Sequence, residues 1–459
     1  MKDISNRKYL KLFWGVMASV FFALIPLSKG FSVEKEESRK TVSFEEVWAK
    51  VKKSSLAQKA LASESKAADI AKRRSSRHWL PRVYADLRSY TTNDPTLTFM
   101  SKLGQRSITQ SDFMTDELNK PGTGTFQRGT LGLDLPLYEG GVRVEAARAL
   151  EKMAEAKRHE KRFSYLVEYS AAASTYGEIL LLIRLQGDLK SLKGRVDSLL
   201  ARYQGGLRSN LVEYSGILGL KSLKNRLAAL MEENEAKIAS LRTYLEKMSG
   251  DSLKGDWAVR SGDVVSFADT HLREPGSGEA GSFQLRLYEA RAESARSRAE
   301  GVKSVFLPRI GVFSEAHVYN GDRNRADSYN MGFYVTMNLV TPTEYGALEQ
   351  ARLESDAARS RAKEARRREE IELRKLRYFS GTLKKNITLL QESTRLMDEQ
   401  VKNAQRLFAN GSIKAFQLVE VLSRKTDLMM ALAGAENEYL HVRAGLYGFS
   451  QHNPDEGEK

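Results

Sequence analysis

The chain has 459 residues, a formal net charge of +15 at pH 7 and no cysteine. The absence of cysteine excludes a disulfide framework, thiol catalysis and a lipid anchor on an N-terminal cysteine. A charge of this size is found in proteins that bind nucleic acid, but here basic residues are interspersed with Glu along helical stretches such as 361–370. That pattern favours solvated helical faces, and with the export signal described next it predicts no nucleic-acid partner.

Residues 1–30 have the layout of a secretory signal peptide. Basic residues within the first eleven positions precede an apolar stretch over 12–27, and the small residues Ser28 and Gly30 then occupy the −3 and −1 positions of a cleavage site. An N-terminal membrane anchor is the alternative, but the stretch is shorter than the ~20 residues that a span usually needs. We therefore predict export and a mature chain that begins after Gly30.

The mature sequence contains the same order of elements twice. Trp79–Val83 reappears as Phe306–Ile310, and Tyr203–Gly206 matches Phe408–Gly411. The two prolines are 227 residues apart and the two final glycines 205, so the first copy carries 22 more residues between these points. The predicted organisation is a first copy over 31–250, a connector over 251–281, a second copy over 282–450 and a polar tail over 451–459.

Each copy begins with an Ala-rich helix and continues with two strands. The helices are expected over 43–79 and 283–306, because the proline two residues later disfavours helix in the residue before it. Apolar residues alternate with others along two later segments, which predicts strands with two different faces. These strands are expected over 131–138 and 332–339, their partners over 83–90 and 310–319, and polar loops between partners over 94–124 and 320–327.

Very long helices complete each copy. Val142–Tyr203 contains 62 residues and no proline, which corresponds to roughly 90 Å of helix at 1.5 Å per residue. Apolar residues at 3,4 spacing predict a coiled-coil seam, and Gly205–Gly206 and Asn410–Gly411 suit the turns of two helical hairpins. The seam residues are Leu182, Leu185, Leu189, Leu192, Val196, Leu199 and Tyr203; Leu220, Leu223, Leu227, Leu230, Leu241, Tyr244 and Met248; and Leu383, Ile387, Leu390, Thr394, Met397, Val401, Ala404 and Phe408.

Four strands per chain are too few to close a barrel, for which ~8 is the practical minimum. Open strand edges are not tolerated in a membrane, so several chains must share one barrel, and three chains would give the even number twelve. Alternating strands are more common in soluble sheets, but the export signal and the duplication favour the barrel. Tyrosines near the strands suit interfacial girdles: Tyr84, Tyr90, Tyr138, Tyr319, Tyr329 and Tyr334.

Three motifs, taken in order, resemble the TolC family of outer-membrane efflux proteins over almost the whole mature chain. Leu80–Arg82 and its repeat at 307–309 resemble the family's helix-to-strand transition. Pro136–Gly141 resembles its strand-to-helix turn, and Tyr203-x-x-Gly206-x-x-Ser209 its hairpin tip. The second copy departs from this pattern at 341–346 and at Lys414.

The resemblance implies a mostly α protein with membrane β structure: a duplicated helix–strand–strand–helix unit with long coiled-coil hairpins. Three chains would form a 12-stranded β-barrel in the outer-membrane lipid and an α-barrel across the periplasm. A homotrimer of this kind would serve efflux or type I secretion with a periplasmic adaptor protein and an inner-membrane transporter. The resemblance also implies a gate, in which the hairpins untwist outward when the adaptor binds.

The hairpin tips are the expected adaptor contacts, and Leu207 and Ile413 are favoured as apolar residues at exposed turns. The predicted contact residues are Tyr203, Gly205, Gly206, Leu207, Arg208, Ser209, Phe408, Gly411, Ser412, Ile413 and Lys414.

The sequence contains no pattern typical of catalysis or of metal binding. Its six histidines are not at metal-ligand spacing, and no His-Glu-x-x-His, P-loop or Gly-x-Ser-x-Gly motif occurs. We therefore expect no enzyme activity, no cofactor and no metal site. A periplasmic adaptor or another exported coiled-coil scaffold is the alternative, although it leaves the duplication unexplained. Fold alone does not select the exported substrate, so drugs, metal ions, proteins and polysaccharides stay open.

Overall fold

A computed structural model describes residues 40–203, 211–253, 255, 257–276 and 281–451. The predicted signal peptide, the first hairpin turn and most of the polar tail lie outside these residues. The described residues from Thr41 onward form one compact unit. No described helix is both long and apolar enough to cross a membrane.

The single helix expected over 43–79 is wrong in two respects. The segment consists of β1 (Lys40–Val42), α1 (Phe44–Ser54) and α2 (Leu56–Ser75). The helix is interrupted at Ser55, which leaves helical geometry and caps α2 by accepting a hydrogen bond from the backbone N–H of Gln58. It also ends at Ser75 rather than at Trp79, because the hydroxyls of Ser75 and Ser76 bond to carbonyls of the last turn and compete there with the helical pattern.

The first strand pair is separated by helical structure where a polar loop was expected. The segment runs through β2 (Arg82–Thr92), α3 (Pro95–Gly104), a 3₁₀ turn (Gln110–Phe113), α4 (Thr115–Asn119) and β3 (Gly124–Glu139). The Asp94 carboxylate accepts a 2.8 Å bond from the N–H of Leu97. With proline at the first helical position, this is a strong helix start.

The long helices follow the sequence expectation closely. They are α5 (Val142–Tyr203) and α6 (Leu211–Met248). Gly140 and Gly141 precede α5 with φ of +64° and +85°, a left-handed conformation that glycine adopts without steric cost. The chain can therefore turn sharply from strand to helix.

The connector forms a small element, as expected, with β4 (Trp257–Val259) and α7 (Val264–His271). Strand β4 pairs with β1. The Tyr176 hydroxyl of α5 joins the two strands, because it donates to the carbonyl of Val42 (2.8 Å) and accepts from the N–H of Arg260 (3.0 Å).

The second copy repeats the order of the first with a shorter strand connection. It contains α8 (Phe283–Val302), a 3₁₀ turn (Lys303–Phe306), β5 (Arg309–Gly321), β6 (Arg325–Thr336), a 3₁₀ turn (Pro342–Glu344), α9 (Ala347–Ala409) and α10 (Ala415–Tyr447). The expected bounds of the loop and of its second strand are wrong: only residues 322–324 join β5 to β6, and β6 runs over Arg325–Thr336 rather than over 332–339. Gly346, with φ of +82°, begins α9 as Gly141 begins α5.

The seam between the long helices is confirmed with one shift. Leu189, Val196, Leu220 and Leu227 are fully or almost fully buried. Near the end of α6, however, Leu245 is buried and the expected Tyr244 is 48% exposed. A straight helix returns to the same face after 18 residues, from Leu227 to Leu245, and so drifts from a strict heptad.

Candidate functional site

The four long strands form one antiparallel sheet in the order β2-β3-β5-β6. Along its register, Val83 lies opposite Leu133, which lies opposite Ser314, which in turn lies opposite Met331. The pairing of β3 with β5 joins the two copies into a single sheet. Among the described residues, strands β2 and β6 pair with one strand each, so each presents an unpaired backbone edge.

One face of the sheet is apolar and exposed in the single chain. Leu87 is 85% and Phe333 78% exposed. An apolar surface of this extent marks an interface with another apolar phase or protein. Its apolar residues are Val83, Ala85, Leu87, Leu131, Leu133, Leu135, Ile310, Val312, Ala316, Val318, Tyr329, Met331, Phe333 and Val335, with Ser314 among them.

The opposite face carries hydrogen-bonded polar side chains that cross from strand to strand. The Tyr84 hydroxyl donates to Glu315, and the Tyr334 hydroxyl donates to Asp134 at 3.1 Å. The glycine opposite each tyrosine, such as Gly132 against Tyr84, leaves space for the ring. Aromatic girdles belong to the apolar face of a barrel sheet. Most of the tyrosines expected in a girdle lie on the polar face instead, so the expectation is wrong for Tyr84, Tyr90, Tyr319 and Tyr334.

The helices next to the sheet lie in the same order as the strands to which they are joined. Helix α2 packs on α5, α5 on α8, and α8 on α9. Because α2 leads into β2 and α9 follows β6, the helical layer and the sheet end on the same two sides. One side presents α2 and β2, and the other presents α9 and β6.

Helix α9 has a second apolar stripe that the sequence reasoning missed. The exposed side chains recur at intervals of 18, 7, 11, 7 and 11 residues, and each interval is close to a whole number of turns of a 3.6-residue helix. This stripe is offset from the coiled-coil seam, and its side chains are exposed in the single chain. Its residues are Leu353, Ile371, Tyr378, Leu389, Leu396 and Leu407. The intervals can be read from the sequence once the seam has been set aside.

The tip of the second hairpin is a helix end followed by a tight turn. Gly411 has φ of +79°, the left-handed conformation common after a helix. Of the expected contact residues, Gly411, Ser412 and Lys414 are exposed, whereas Phe408 is buried. Ile413 is half-buried and packs against the core, and its role as an adaptor contact stays a prediction. The exposed apolar side chains here are Leu407 and Phe416, which the sequence reasoning did not select.

Most of the contact residues expected at the tip of the first helical hairpin are not among the described residues. Gly205, Gly206, Leu207, Arg208 and Ser209 lie outside the described residues, and Tyr203 is described only as the last residue of α5.

Just above this turn, α6 and α10 approach each other closely through small residues. Gly216 lies against Ala415, and Gly219 lies against Val419. A larger side chain at Gly216 would push the helices apart, so the glycine determines how tightly the two hairpins pack at this end.

The helical interior holds buried charges. Glu436 is fully buried on α10, and Arg184 of α5 donates to it. Burial raises the pKa of the Glu436 carboxyl above its usual value, and the guanidinium of Arg184 opposes this. A second network ties the connector to α9 and α10, because Asp269 accepts from Tyr439 (2.5 Å) and Lys384 (2.8 Å). These groups are paired or fix helix positions, and no group of three or more His, Asp or Glu among the described residues is arranged to hold a metal ion.

No protein-family model and no curated protein matches this sequence. Among solved structures, the chain is similar to CusC, studied for the conformational changes that accompany folding and transmembrane channel formation, with a TM-score of 0.73 and 10% identity over 95% of this chain and 99% of that chain. It is similar to the outer-membrane protein VceC of Vibrio cholerae, with a TM-score of 0.71 and 13% identity over 89% and 97% of the two chains. It is also similar to the open state of the outer-membrane channel MtrE of Neisseria gonorrhoeae, with a TM-score of 0.71 and 12% identity over 93% of this chain and 97% of that chain. The chain therefore shares the fold of these three structures, which is the TolC-like fold expected from the sequence.

Proposed function

We propose that this protein is the outer-membrane channel subunit of an efflux or secretion system and that it works as a homotrimer. The observation that carries the proposal is the coincidence of open edges: sheet and helical layer stop on the same two sides. An edge that pairs with the opposite edge of another copy generates a ring if the rotation closes. Three copies give twelve strands, a number that outer-membrane barrels use.

The two faces of the sheet suit opposite surroundings. The apolar face around Leu87 and Phe333 would contact outer-membrane lipid, and the polar face with Tyr84, Glu315 and Asp134 would line the pore. The helical layer continues from the same edges and would form a tunnel that projects into the periplasm. The similar solved structures described as outer-membrane channels support this placement.

The hairpin tips would meet a periplasmic adaptor protein, which in turn joins an inner-membrane transporter that supplies the energy. The contacts at the described tip would be Gly411, Ser412 and Lys414, with the apolar side chains of Leu407 and Phe416 in addition. Gly205–Ser209 would serve the first hairpin. Movement of the hairpins, which pack closely at Gly216 and Ala415, would open the periplasmic end. The channel itself would be passive.

Fractionation of a Gram-negative host that expresses the full chain tests this proposal. We expect recovery in the outer-membrane fraction and release only by detergent, because the apolar face of the sheet needs lipid or detergent to cover it. A soluble periplasmic monomer would overturn the proposal and favour an exported coiled-coil scaffold such as an adaptor.

A further inference from the structure

The two strand connections at the far end of the sheet differ greatly in length. Residues 322–324 join β5 to β6, whereas residues 93–123 join β2 to β3 and contain α3, a 3₁₀ turn and α4. We call residues 93–123 the insertion. It is a folded segment, and its position on the sheet bears on the width of the proposed pore.

The insertion lies against the polar face of the sheet. The Ser101 hydroxyl is 2.7 Å from the hydroxyl of Tyr90. A Cβ atom on Gly104 would lie only 2.7 Å from Cδ1 of Tyr319, so α3 and this ring are in close contact. Tyr90 and Tyr319 both belong to the polar face, as their register with Phe126 and Arg128 shows.

A buried carboxylate ties the insertion to the β-hairpin formed by β5 and β6. Asp112 is 3% exposed and accepts from Arg323 at 2.7 Å and from Lys102 at 3.0 Å. Arg323 belongs to the short connection between β5 and β6, so this contact crosses the sheet from one copy to the other. The guanidinium of Arg323 holds the pKa of the Asp112 carboxyl well below its usual range, which keeps the pair charged at neutral pH.

Further bonds secure the same crossing. Arg106 donates to the carbonyl of Asp327 at 2.9 Å, and the side-chain amide of Asn324 donates to the carbonyl of Gln105 at 2.9 Å. Gln105 is itself buried, with its side chain against Gly321. The insertion, which joins β2 to β3, is therefore also fixed to the β-hairpin of β5 and β6 and does not extend away from the sheet.

We propose that the insertion narrows the outer end of the pore and determines the largest solute that can leave. This inference rests on the proposed function, because the polar face lines a pore only when several sheets close into one barrel. Each subunit would then place one insertion on the inner side of the barrel, at the end away from the long helices. In a trimer, three insertions would project towards the same axis and reduce the opening there.

Single-channel recording in planar lipid bilayers tests the proposal, with polyethylene glycols of graded size added to measure the effective opening. In the main variant, residues 93–123 are replaced by the three residues Asp-Arg-Asn that join β5 to β6. We expect a higher conductance and access for larger polymers than in the wild type. Arg323→Ala, which removes the bonds to Asp112 and to the carbonyl of Ser107 but leaves the insertion in place, should shift the conductance and the polymer cut-off in the same direction by less. Arg366→Ala, which removes an exposed ion pair with Glu289 on the helices, is the control and should leave both unchanged.

The outcomes separate the two proposals. A wild-type protein that forms no channels would overturn the proposed function and this inference with it. Channels whose polymer cut-off is the same with and without the insertion would overturn the inference alone. If the replacement variant does not insert into the bilayer, the Arg323→Ala variant tests the inference. An unchanged polymer cut-off in that variant would overturn it.

Discussion

The effect of the buried residue Glu436 on the stability of the helical layer depends on its ionic partner, Arg184. Its carboxylate is fully buried between helices, Arg184 donates to one oxygen, and Oε1 has no partner among the described residues. Removing one member of a buried pair leaves an uncompensated charge, which is more harmful than the pair is helpful. Arg184 itself remains 37% exposed, so it can be hydrated, whereas Glu436 cannot.

Arg184→Ala should therefore destabilise the protein by about 3 kcal/mol, the low end of the range for breaking a buried ion pair. The control is Arg226→Ala, which breaks the exposed pair with Asp427 and should cost about 0–1 kcal/mol. Loss of helical circular dichroism on heating, at a fixed heating rate and in detergent, would report the difference. Equal melting temperatures for the two variants would contradict this assignment.

The same variant has an expected pH dependence. Without Arg184 the already raised pKa of Glu436 rises further, and a raised carboxyl pKa gives stability that is present below the unfolded value of about 4.5 and lost as pH rises through the folded value. The loss of stability of Arg184→Ala relative to wild type should therefore be smallest near pH 4.5 and largest at pH 8. A deficit that does not change with pH would mean that Glu436 does not titrate in this range.

Single residues were predictable where one conformation or one period determines them. Gly141 belongs to the strand-to-helix turn expected over 136–141, and the seam leucines follow from their spacing. The second turn departs from that pattern in sequence, yet Gly346 has the same positive φ as Gly141. Asp112 and Glu436 were not predicted, because their partners Arg323 and Arg184 are 211 and 252 positions away in the chain. Only the tertiary fold brings such groups together.

At the scale of elements, the stripe on α9 is the feature with the most direct consequence for assembly. Leu389 lies at its centre and is 67% exposed in the single chain. Leu389→Lys should lower the fraction of trimer, since an interface that covers the stripe would have to bury a charge. Thr388→Lys is the control: it places the same charge one position away, outside the apolar stripe, and should leave assembly intact. Size-exclusion chromatography in detergent would compare them, and an equal trimer fraction in both would exclude the stripe from the interface.

The long helices and the strands were predictable from period and length, and α5 has the expected bounds. The short elements were not. Ser55 interrupts the first helix through a side-chain cap, and the insertion was expected to be a polar loop because its helices are too short for a clear periodicity. Such local competition between side chain and backbone is decided by geometry that composition does not reveal.

At the scale of the whole molecule, the proposed trimer is a closed ring in which β2 of one copy lies beside β6 of the next. The duplication and the four strands led to this expectation, but the matching order of helices and strands required the structure. Lack of cysteine in the chain makes the arrangement accessible to introduced disulfides. Within one chain, β2 and β6 are separated by two strands, or about 14 Å at the usual strand spacing, which is beyond the reach of a disulfide.

The most direct measurement is therefore disulfide formation between the two edges. Leu87→Cys on β2 would be combined in turn with Cys at Tyr329, Met331, Phe333 or Val335 on β6, all on the same face of the sheet, and outer membranes would be mildly oxidised. We expect that at least one pair gives covalent dimers and trimers, but nothing larger, on a non-reducing gel, while Leu87→Cys alone stays monomeric. Monomers from every pair in a folded protein, or a ladder that continues beyond the trimer, would contradict the closed three-subunit ring.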